Sequence, residues 1–322
     1  MSATAEVLTS PAARRYVDSL RGPYRDDHVR LQPSGCVLLS KVTKDVHRIL
    51  DFAVRPDDVW LVTFPKSGTT WSQELLWLLM NNCDVEQAKR VPLIQRFPYL
   101  EITPLMPEFT RNMPHSIDHV ERMVSPRLIK SHLPLDQLPK QIKTVKPKVI
   151  YVVRSVQDAI VSFYHHYQLW GDCDLTLDQF AECFMDDLIM YCPYWDHVLP
   201  FWNLRNEPNV LFYSYEDMKK DLASVIRLVA TFLQKTITER QVAELVDYLS
   251  FDKMRNNPAV NYDPVVEQLR ADYNLQPLPS STKFMRRGQV GEGKQVLSED
   301  IQRRLRQWTE AALQGSDYTG PR

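Results

Sequence analysis

The sequence lacks several features that mark special classes of protein. None of its apolar stretches approaches the ~20 residues that a membrane-spanning helix needs, so we expect no membrane association. Its 39 basic and 40 acidic residues nearly cancel, and no overall field favours nucleic acid or an anionic surface. The composition, 44% hydrophobic and 25% charged, is that of an ordinary globular protein. These features predict that neither nucleic acid nor a membrane is a partner.

Paired cysteines are absent as well. The five cysteines are Cys36, Cys83, Cys173, Cys183 and Cys192, and they form no CxxC motif. An odd number of scattered cysteines predicts free thiols, and none stands near histidines at the spacing of a zinc site. The first twenty residues lack the apolar segment that a secretory signal peptide contains. We therefore expect a cytoplasmic protein that binds no metal.

The chain alternates strand-like and helix-like segments. Residues 1–45 form a polar lead-in that we assign to the same domain as residues 46–322. The predicted strands are 59–64, 127–130, 148–153 and 209–213, and the predicted helices are 70–82, 156–170, 175–190, 217–234, 238–249 and 299–313. Short apolar strands that alternate with helices predict a single α/β domain, in which helices flank a central, mostly parallel sheet.

Two proline-rich regions interrupt this alternation. Residues 91–126 and 256–296 each carry several prolines, and neither is expected to be one regular element. Structureless stretches of this length usually serve as lids or binding loops. The sequence therefore predicts that these regions cover a binding site.

The segment "TFPKSGTTW", residues 63–71, connects a predicted strand to a predicted helix. Such a turn exposes unpaired N–H groups at the positive end of the helix dipole, and anions bind there. Gly68 would let a phosphate approach the backbone. Further donors surround it: Lys66, Ser67, Thr69 and Thr70. The segment alone could instead be a plain capped helix. The nucleoside-triphosphate motif GxxxxGK[ST] is absent, which predicts a different phosphorylated ligand.

Three later segments carry residues that could complete such a site. In "LIKSHLPL", residues 128–135, His132 stands at the end of a strand, where it could act as a general base. In "VIYVVRSVQDAIVSFYHHY", residues 149–167, Arg154 could bind a phosphate with two hydrogen bonds. In "FMRRGQVGEGK", residues 284–294, Arg286 and Arg287 form a possible anion clamp within a long loop. Taken singly, each could be structural: a core histidine, or arginines in surface ion pairs.

Together, in this order, the four segments resemble those of the cytosolic sulfotransferases. That family carries PKSGTTW, K-[TS]-H-L-P, YVxRNxxDxxVSxYxF and RKGxxGDWK, and the matches span most of this chain. The resemblance implies a fold like that of nucleotide kinases, with a phosphate-binding loop between a strand and a helix. It implies 3'-phosphoadenosine 5'-phosphosulfate (PAPS) as the donor and 3'-phosphoadenosine 5'-phosphate (PAP) as the product. The sulfuryl group would pass, without a metal, to a hydroxyl of a small molecule.

The resemblance also implies roles for individual residues. His132 would be the catalytic base, Lys66 and Lys130 would stabilise the leaving oxygen, and Ser162 would hold Lys66 away until an acceptor binds. The expected nucleotide-binding residues are Lys66, Ser67, Gly68, Thr69, Thr70, Trp71, Arg154, Ser162, Tyr215, Leu249, Ser250, Phe251, Met254, Phe284, Met285, Arg286, Arg287 and Gly288.

Acceptor recognition is predicted more loosely. The expected acceptor-binding residues are Lys130, His132, Phe97 and Tyr164, with apolar side chains of residues 91–110 as a wall. Such a pocket suits a phenol, a steroid, a retinoid or a xenobiotic alcohol.

The chain departs from the family pattern at a few positions. Gly293 stands where the family has tryptophan, which bears on the packing of the loop and on nucleotide affinity. Ser155 and Val156 replace Asn-Pro, and Ser155 is expected to cap the following helix. Leu249 replaces a threonine. The segment "KQVLSEDIQR" differs at three positions from the family's dimerisation element, so the sequence does not predict the oligomeric state.

Three other activities remain open on the sequence. A small-molecule or nucleoside kinase would transfer phosphate from ATP with magnesium. A non-catalytic adenosine bisphosphate-binding protein would bind nucleotide without turnover. A sulfated allylic alcohol could also eliminate sulfate, which would make the enzyme a net dehydratase, and the mass of the product would reveal it.

Overall fold

The computed structural model describes residues 4–279 and 282–322. Its strands are β1 (Ala5–Val7), β2 (His28–Leu31), β3 (Cys36–Leu39), β4 (Val59–Thr63), β5 (Leu128–Ser131), β6 (Lys148–Val153) and β7 (Val210–Ser214). The last four form a parallel sheet in the order β5-β4-β6-β7. The first three form a small antiparallel sheet in chain order.

Both faces of the parallel sheet are buried, because successive side chains of a strand point to opposite faces. On β4, Trp60 and Val62 belong to one core cluster, while Val59 and Leu61 belong to another. The two clusters are therefore the two helical layers that cover the sheet. This arrangement explains why the central strands are apolar without alternation.

Helices form these layers and the connections between strands. Their bounds are α1 (Pro11–Asp18), α2 (Val46–Leu50), α3 (Thr69–Met80), α4 (Val85–Arg90), α5 (Leu93–Arg96), α6 (Ile102–Leu105), α7 (Ser116–Arg122), α8 (Ile142–Val145), α9 (Val156–Trp170), α10 (Leu177–Met185), α11 (Tyr194–Asn203), α12 (Tyr215–Lys220), α13 (Leu222–Phe232), α14 (Glu239–Tyr248), α15 (Phe251–Arg255), α16 (Asp263–Asp272), α17 (Gly293–Val296) and α18 (Glu299–Ala312). Among the residues that the structure describes, no helix is both long and apolar enough to cross a membrane.

The amino-terminal segment is more structured than its polar character suggested. It contains α1 and the antiparallel sheet, and side chains such as Tyr16, Leu20 and Leu38 are fully buried in one of the two core clusters. Strand β3 also bonds to a distant segment: the Val37 amide donates to the Cys192 carbonyl at 2.9 Å, and the Tyr191 amide donates to the Val37 carbonyl at 2.7 Å. These two hydrogen bonds tie the small sheet to residues beside the site.

Several predicted helices differ from the observed ones. The helix expected over 175–190 is α10 alone, because the chain turns through a left-handed conformation at Asp187. The helix expected over 217–234 is divided at Asp221, whose side chain caps α13. Helix α11 was not predicted, since its internal Pro200 and dense aromatic residues hide a helical pattern.

The region 256–296, predicted to be irregular, contains α16 and the short α17. Pro264 stands at the start of α16, where proline is compatible with a helix because the first amides need no partner within it. The expectation that this region forms a structureless stretch was therefore wrong for α16. Ser280 and Ser281 of the same region lie outside the described residues.

Candidate active site

The candidate residues converge at one edge of the parallel sheet. Strands β4, β5 and β6 run in the same direction, so their carboxyl ends open onto a common crevice, the usual ligand position in such folds. A cavity of about 440 Å³ lies there. Of the residues predicted to bind nucleotide or acceptor, all line this cavity except Ser67, Ser250 and Tyr164.

The phosphate-binding turn joins β4 to α3, as predicted. Gly68 precedes α3 with a φ of 99°, and a Cβ atom there would come within 2.9 Å of the Tyr215 ring. Both the conformation and the contact favour glycine. Lys66 also has a positive φ, 67°, which is costly for a lysine and is typical of functional turns. Ser67 lies behind the turn, and its fully buried hydroxyl has no hydrogen-bond partner among the described residues.

His132 lies just beyond the end of β5, and its hydrogen bonds fix its tautomer. Its Nδ1 lies 2.8 Å from the carbonyl oxygen of Thr63. A carbonyl can only accept, so Nδ1 carries the proton and Nε2 carries the lone pair. Burial, and secondarily the charge of Lys130, hold the pKa of His132 well below 6.5. At neutral pH the imidazole is therefore neutral, and its basic nitrogen is free to accept a proton.

The backbone of His132 is held by a carboxylate that sequence reasoning missed. Glu101 accepts hydrogen bonds from the His132 amide at 2.6 Å and from the Ser131 hydroxyl at 3.1 Å. Its burial raises the pKa of its carboxyl to about 7. A Tyr99–Lys130 bridge brings residues 98–101 alongside β5, and only this pairing, which is not visible in the sequence, reveals the role of Glu101.

Two lysines face the cavity without a salt bridge to any described residue. Burial, followed by the charges of Arg154, Lys130 and Arg286, lowers the pKa of Lys66 to about 7. Burial also lowers the pKa of Lys130 to about 8, opposed by Glu101. The Lys66 ammonium lies 4.3 Å from the centre of the Phe284 ring, and no hydrogen bond joins it to Ser162 among the described residues. Buried amines without a salt-bridge partner fit an anionic ligand.

Arg154 follows β6 and contacts both the turn and the long loop. It donates to the Lys66 carbonyl at 3.2 Å and to the Gln289 carbonyl at 2.9 Å. Its guanidinium lies 4.4 Å from the centre of the Tyr215 ring, and its buried Nε has no partner among the described residues. Ser155 caps α9 as expected, by accepting from the Asp158 amide. An anion in the crevice would satisfy the free donor.

The loop that carries Arg286 and Arg287 is fastened to helix α9. Asp158 accepts from the Gly291 amide at 2.7 Å and from the Gly293 amide at 2.8 Å, and both arginines pair with Glu292. A Cβ atom on Gly293 would lie 2.6 Å from the carbonyl carbon of Gln157. The absence of a side chain at this position therefore allows the loop to lie directly on α9.

Aromatic and apolar side chains flank the turn where an adenine would lie. Trp71 and Tyr215 pack edge to face with ring centres 5.8 Å apart, and Phe251, Met254 and Leu249 also line the cavity. Such surfaces accommodate a flat heterocycle.

Apolar side chains of the proline-rich region 91–126 also line the cavity. Phe97 and Tyr99 contribute as predicted, and Phe109 and Met106 extend the wall. Tyr164 does not, because its hydroxyl donates to the Leu175 carbonyl at 3.2 Å and its ring packs against Phe180. The prediction that Tyr164 binds the acceptor is thus not supported by the geometry.

Tyr191 is another lining residue that the sequence did not reveal. Its hydroxyl is hydrogen-bonded to that of Tyr99, and both rings pack edge to face against His132. Its left-handed backbone, with φ of 70°, is strained for a tyrosine. The two hydrogen bonds with Val37 described above hold this conformation, and a sequence pattern cannot show such a contact.

The fold and the cavity together are those of a nucleotide-binding α/β enzyme with a cationic end and an apolar end. The family model for the sulfotransferase domain matches residues 56–317. The chain belongs to the sulfotransferase family.

Curated relatives agree with this assignment. Luciferin sulfotransferase of Photinus pyralis is 38% identical over 285 residues, which cover 84% of this chain and 75% of that protein. Sulfotransferase 1E1 of Bos taurus is 32% identical over 88% of this chain and 92% of its own length. Among solved structures, retinol dehydratase in complex with retinol and PAP superposes with a TM-score of 0.87 at 28% identity, covering 100% of this chain and 99% of the other.

The protein is therefore a PAPS-dependent enzyme that sulfates small molecules. PAPS is the donor and PAP is the product. This assignment decides against the kinase and against a binding protein without catalysis.

Proposed function

We propose that the enzyme transfers the sulfuryl group of PAPS to a hydroxyl of a small apolar acceptor by in-line displacement, with His132 as the base. The observation that carries this proposal is the His132 tautomer. Its Nδ1–H donates to the Thr63 carbonyl, so the lone pair of Nε2 is available to the cavity, where a hydroxyl proton can be removed.

The cationic residues complete this chemistry. As the hydroxyl oxygen attacks sulfur, charge builds on the oxygen that links sulfur to the nucleotide, and Lys66 and Lys130 neutralise it. Preorganised charges of this kind usually contribute the largest share of the rate enhancement. Arg154, Ser162, Arg286, Arg287 and Gly288 hold the 3'-phosphate, and the turn from Lys66 to Thr70 holds the 5'-phosphate.

The acceptor class follows from the lining of the cavity beyond His132. Phe97, Ile102, Leu105 and Met106 are apolar, so a phenol, a steroid, a retinoid or a xenobiotic alcohol would bury most of its surface there. The cytoplasm is the compartment that fits the cysteines, because all five are free.

An acceptor screen with labelled PAPS tests the proposal. A panel of phenols, steroid alcohols and allylic alcohols is incubated with the enzyme, with matched methyl ethers as controls that have no transferable proton. We expect label to enter at least one alcohol and none of the ethers. Failure to label any alcohol, while PAP still binds, would refute the proposed acceptor class.

Net dehydration is a second candidate function, and the similarity to retinol dehydratase along the whole chain favours it. In an allylic sulfate the carbon–oxygen bond can break, its electrons leaving with sulfate, while a proton lost from the carbon chain completes a new double bond. The mass of the product distinguishes the two: a sulfate ester is heavier than the alcohol, and the elimination product is lighter by one water.

A further inference from the structure

A second histidine of the cavity, His166, presents the opposite hydrogen-bonding group to that of His132. The indole N–H of Trp170 donates to His166 Nδ1 at 2.9 Å. An indole nitrogen can only donate, so Nδ1 of His166 must carry the lone pair. In the neutral ring the proton is then on Nε2. Burial, reinforced by the charges of Lys66 and Lys130, lowers the pKa of His166 well below 6.5, so the ring is neutral at physiological pH.

The Nε2–H group of His166 has no hydrogen-bond partner among residues 4–279 and 282–322, although His166 lines the cavity. Its surroundings are aromatic: Tyr24, Phe163, Trp170 and Phe284 all lie with ring centres 5.7 to 6.4 Å from the imidazole. A donor in such a setting loses its hydration when a ligand fills the cavity, which is costly unless the ligand supplies an acceptor.

A comparison with His197 shows that this arrangement is not that of an ordinary core histidine. His197 is fully buried below the site, and both its nitrogens are bonded within the protein: Nδ1 accepts from Tyr151 at 2.8 Å, and Nε2–H donates to the His132 carbonyl at 2.8 Å. His166 has only one nitrogen bonded in this way, and its ring lines the cavity instead.

We propose that His166 is a specificity-determining residue whose Nε2–H donates a hydrogen bond to a second polar group of the acceptor molecule. This inference rests on the proposed function. The cavity then recognises one hydrogen-bond donor and one hydrogen-bond acceptor on the same molecule. The hydroxyl to be sulfated donates to His132, and a carbonyl, ether or ring-nitrogen atom accepts from His166. The preferred substrates are hydroxyl compounds with such a second group.

Trp170 is the positioning residue in this arrangement, because its indole N–H keeps the imidazole proton on Nε2. Without that donor, the proton can move to Nδ1, and Nε2 becomes an acceptor. The Trp170 ring also packs against Phe109 at a centre-to-centre distance of 4.8 Å, which fixes its orientation.

The test uses pairs of acceptors that differ only in one atom group: a phenol with a ketone on a distal ring, and the same phenol with a methylene in place of that ketone. For the unaltered enzyme, kcat/KM for the ketone compound should exceed kcat/KM for the methylene compound by roughly tenfold. This is the expected effect of one hydrogen bond to a donor that would otherwise be buried without a partner. In His166→Phe this ratio should fall to about one, mainly through KM. Trp170→Phe should lower it partly. The exposed His47 on α2 provides the matched control, His47→Phe, which should keep the ratio.

Binding of the same pair to the PAP complex, measured by calorimetry, gives a second readout that needs no turnover. The proposal is overturned if the ketone and methylene compounds bind and react alike with the unaltered enzyme across a series of ketone positions. It is equally overturned if the ratio survives in His166→Phe. A different result, in which the ratio of binding constants behaves as expected but no alcohol is sulfated, would leave this inference standing and refute the proposed function.

Discussion

Lys66 and Lys130 are buried amines that an anionic ligand would stabilise. Neither forms a salt bridge with a described residue, and burial lowers the pKa of each. A buried amine without a salt-bridge partner is costly to charge in the unliganded protein, and the phosphosulfate would relieve that cost.

The efficiency with which the enzyme uses PAPS should depend on pH, because it depends on the charge of Lys66. In the enzyme without bound donor, the pKa of Lys66 is lowered to about 7, so the charged fraction of Lys66 falls as pH rises through that value. We expect kcat/KM for PAPS, which reports on the free enzyme, to decline above pH ~7. Lys66→Arg should extend activity to higher pH, because arginine keeps its charge. A profile that stays flat from pH 7 to 9 in the unaltered enzyme would contradict this expectation.

Replacing His132 should separate catalysis from binding. We expect His132→Ala to reduce kcat by at least ~10²-fold, the lower range for a lost general base. PAP affinity, measured by calorimetry, should change little, since the phosphates are expected to contact other residues. His47→Ala serves as the control. Normal turnover in His132→Ala would show that another group removes the proton.

At the scale of elements, the loop over residues 286–293 depends on close contact with α9. A Cβ atom on Gly293 would lie 2.6 Å from the carbonyl carbon of Gln157, so Gly293→Ala must push the loop away from the helix. We expect a loss of ~1–3 kcal/mol in the free energy of unfolding, the usual cost of overpacking, and weaker PAP binding. The exposed neighbour Gln295 gives the control Gln295→Ala. Denaturant titrations and calorimetry measure both effects, and an unchanged stability would show that the loop readily shifts.

Much of the arrangement of elements was predictable from the sequence. The four central strands are mostly apolar, and each observed end lies within one residue of the predicted one. The missed elements share a cause, which is that tertiary contacts override the local pattern. Strand β3 is stabilised by pairing with β2 and with Cys192, and α11 tolerates Pro200 within a dense aromatic cluster.

The site was predictable to the extent that its residues stand in continuous motifs. Lys66, His132, Arg154 and Arg286 line one cavity, as expected. Glu101, His166 and Tyr191 could not be found, because their importance depends on which distant group each contacts. Tyr164 is the opposite case, a residue that the sequence suggested and the cavity does not include. Its neighbour Phe163 lines the cavity, whereas the Tyr164 hydroxyl donates to the Leu175 carbonyl.

At the scale of the whole molecule, a chain with a formal net charge of −1 concentrates positive charge in one crevice. PAP should therefore act as a strong stabiliser. At about one hundred times its Kd it should add ~2.7 kcal/mol to the free energy of unfolding, a rise in Tm of about 5 °C. Adenosine, which lacks both phosphates, should have little effect.

Salt and a charge-removing variant provide the checks on this stabilisation. The PAP-induced shift in Tm should shrink as ionic strength rises, since screening weakens attraction at the crevice mouth. Arg154→Met should reduce it further. A shift that adenosine reproduces in full would mean that the base, and not the phosphates, provides most of the binding energy.

The hydrogen bonds between Val37 and residues 191 and 192 have a practical consequence for anyone who shortens this chain. The segment that precedes residue 56 lies outside the family match, yet it holds the backbone of a tyrosine that lines the cavity. Trimming to residue 46 would therefore leave the nucleotide-binding motifs complete and release Tyr191 from its strained conformation. Because Tyr16, Leu20 and Leu38 of the same segment are buried in the core, we expect the truncated chain to lose stability as well as its discrimination among acceptors.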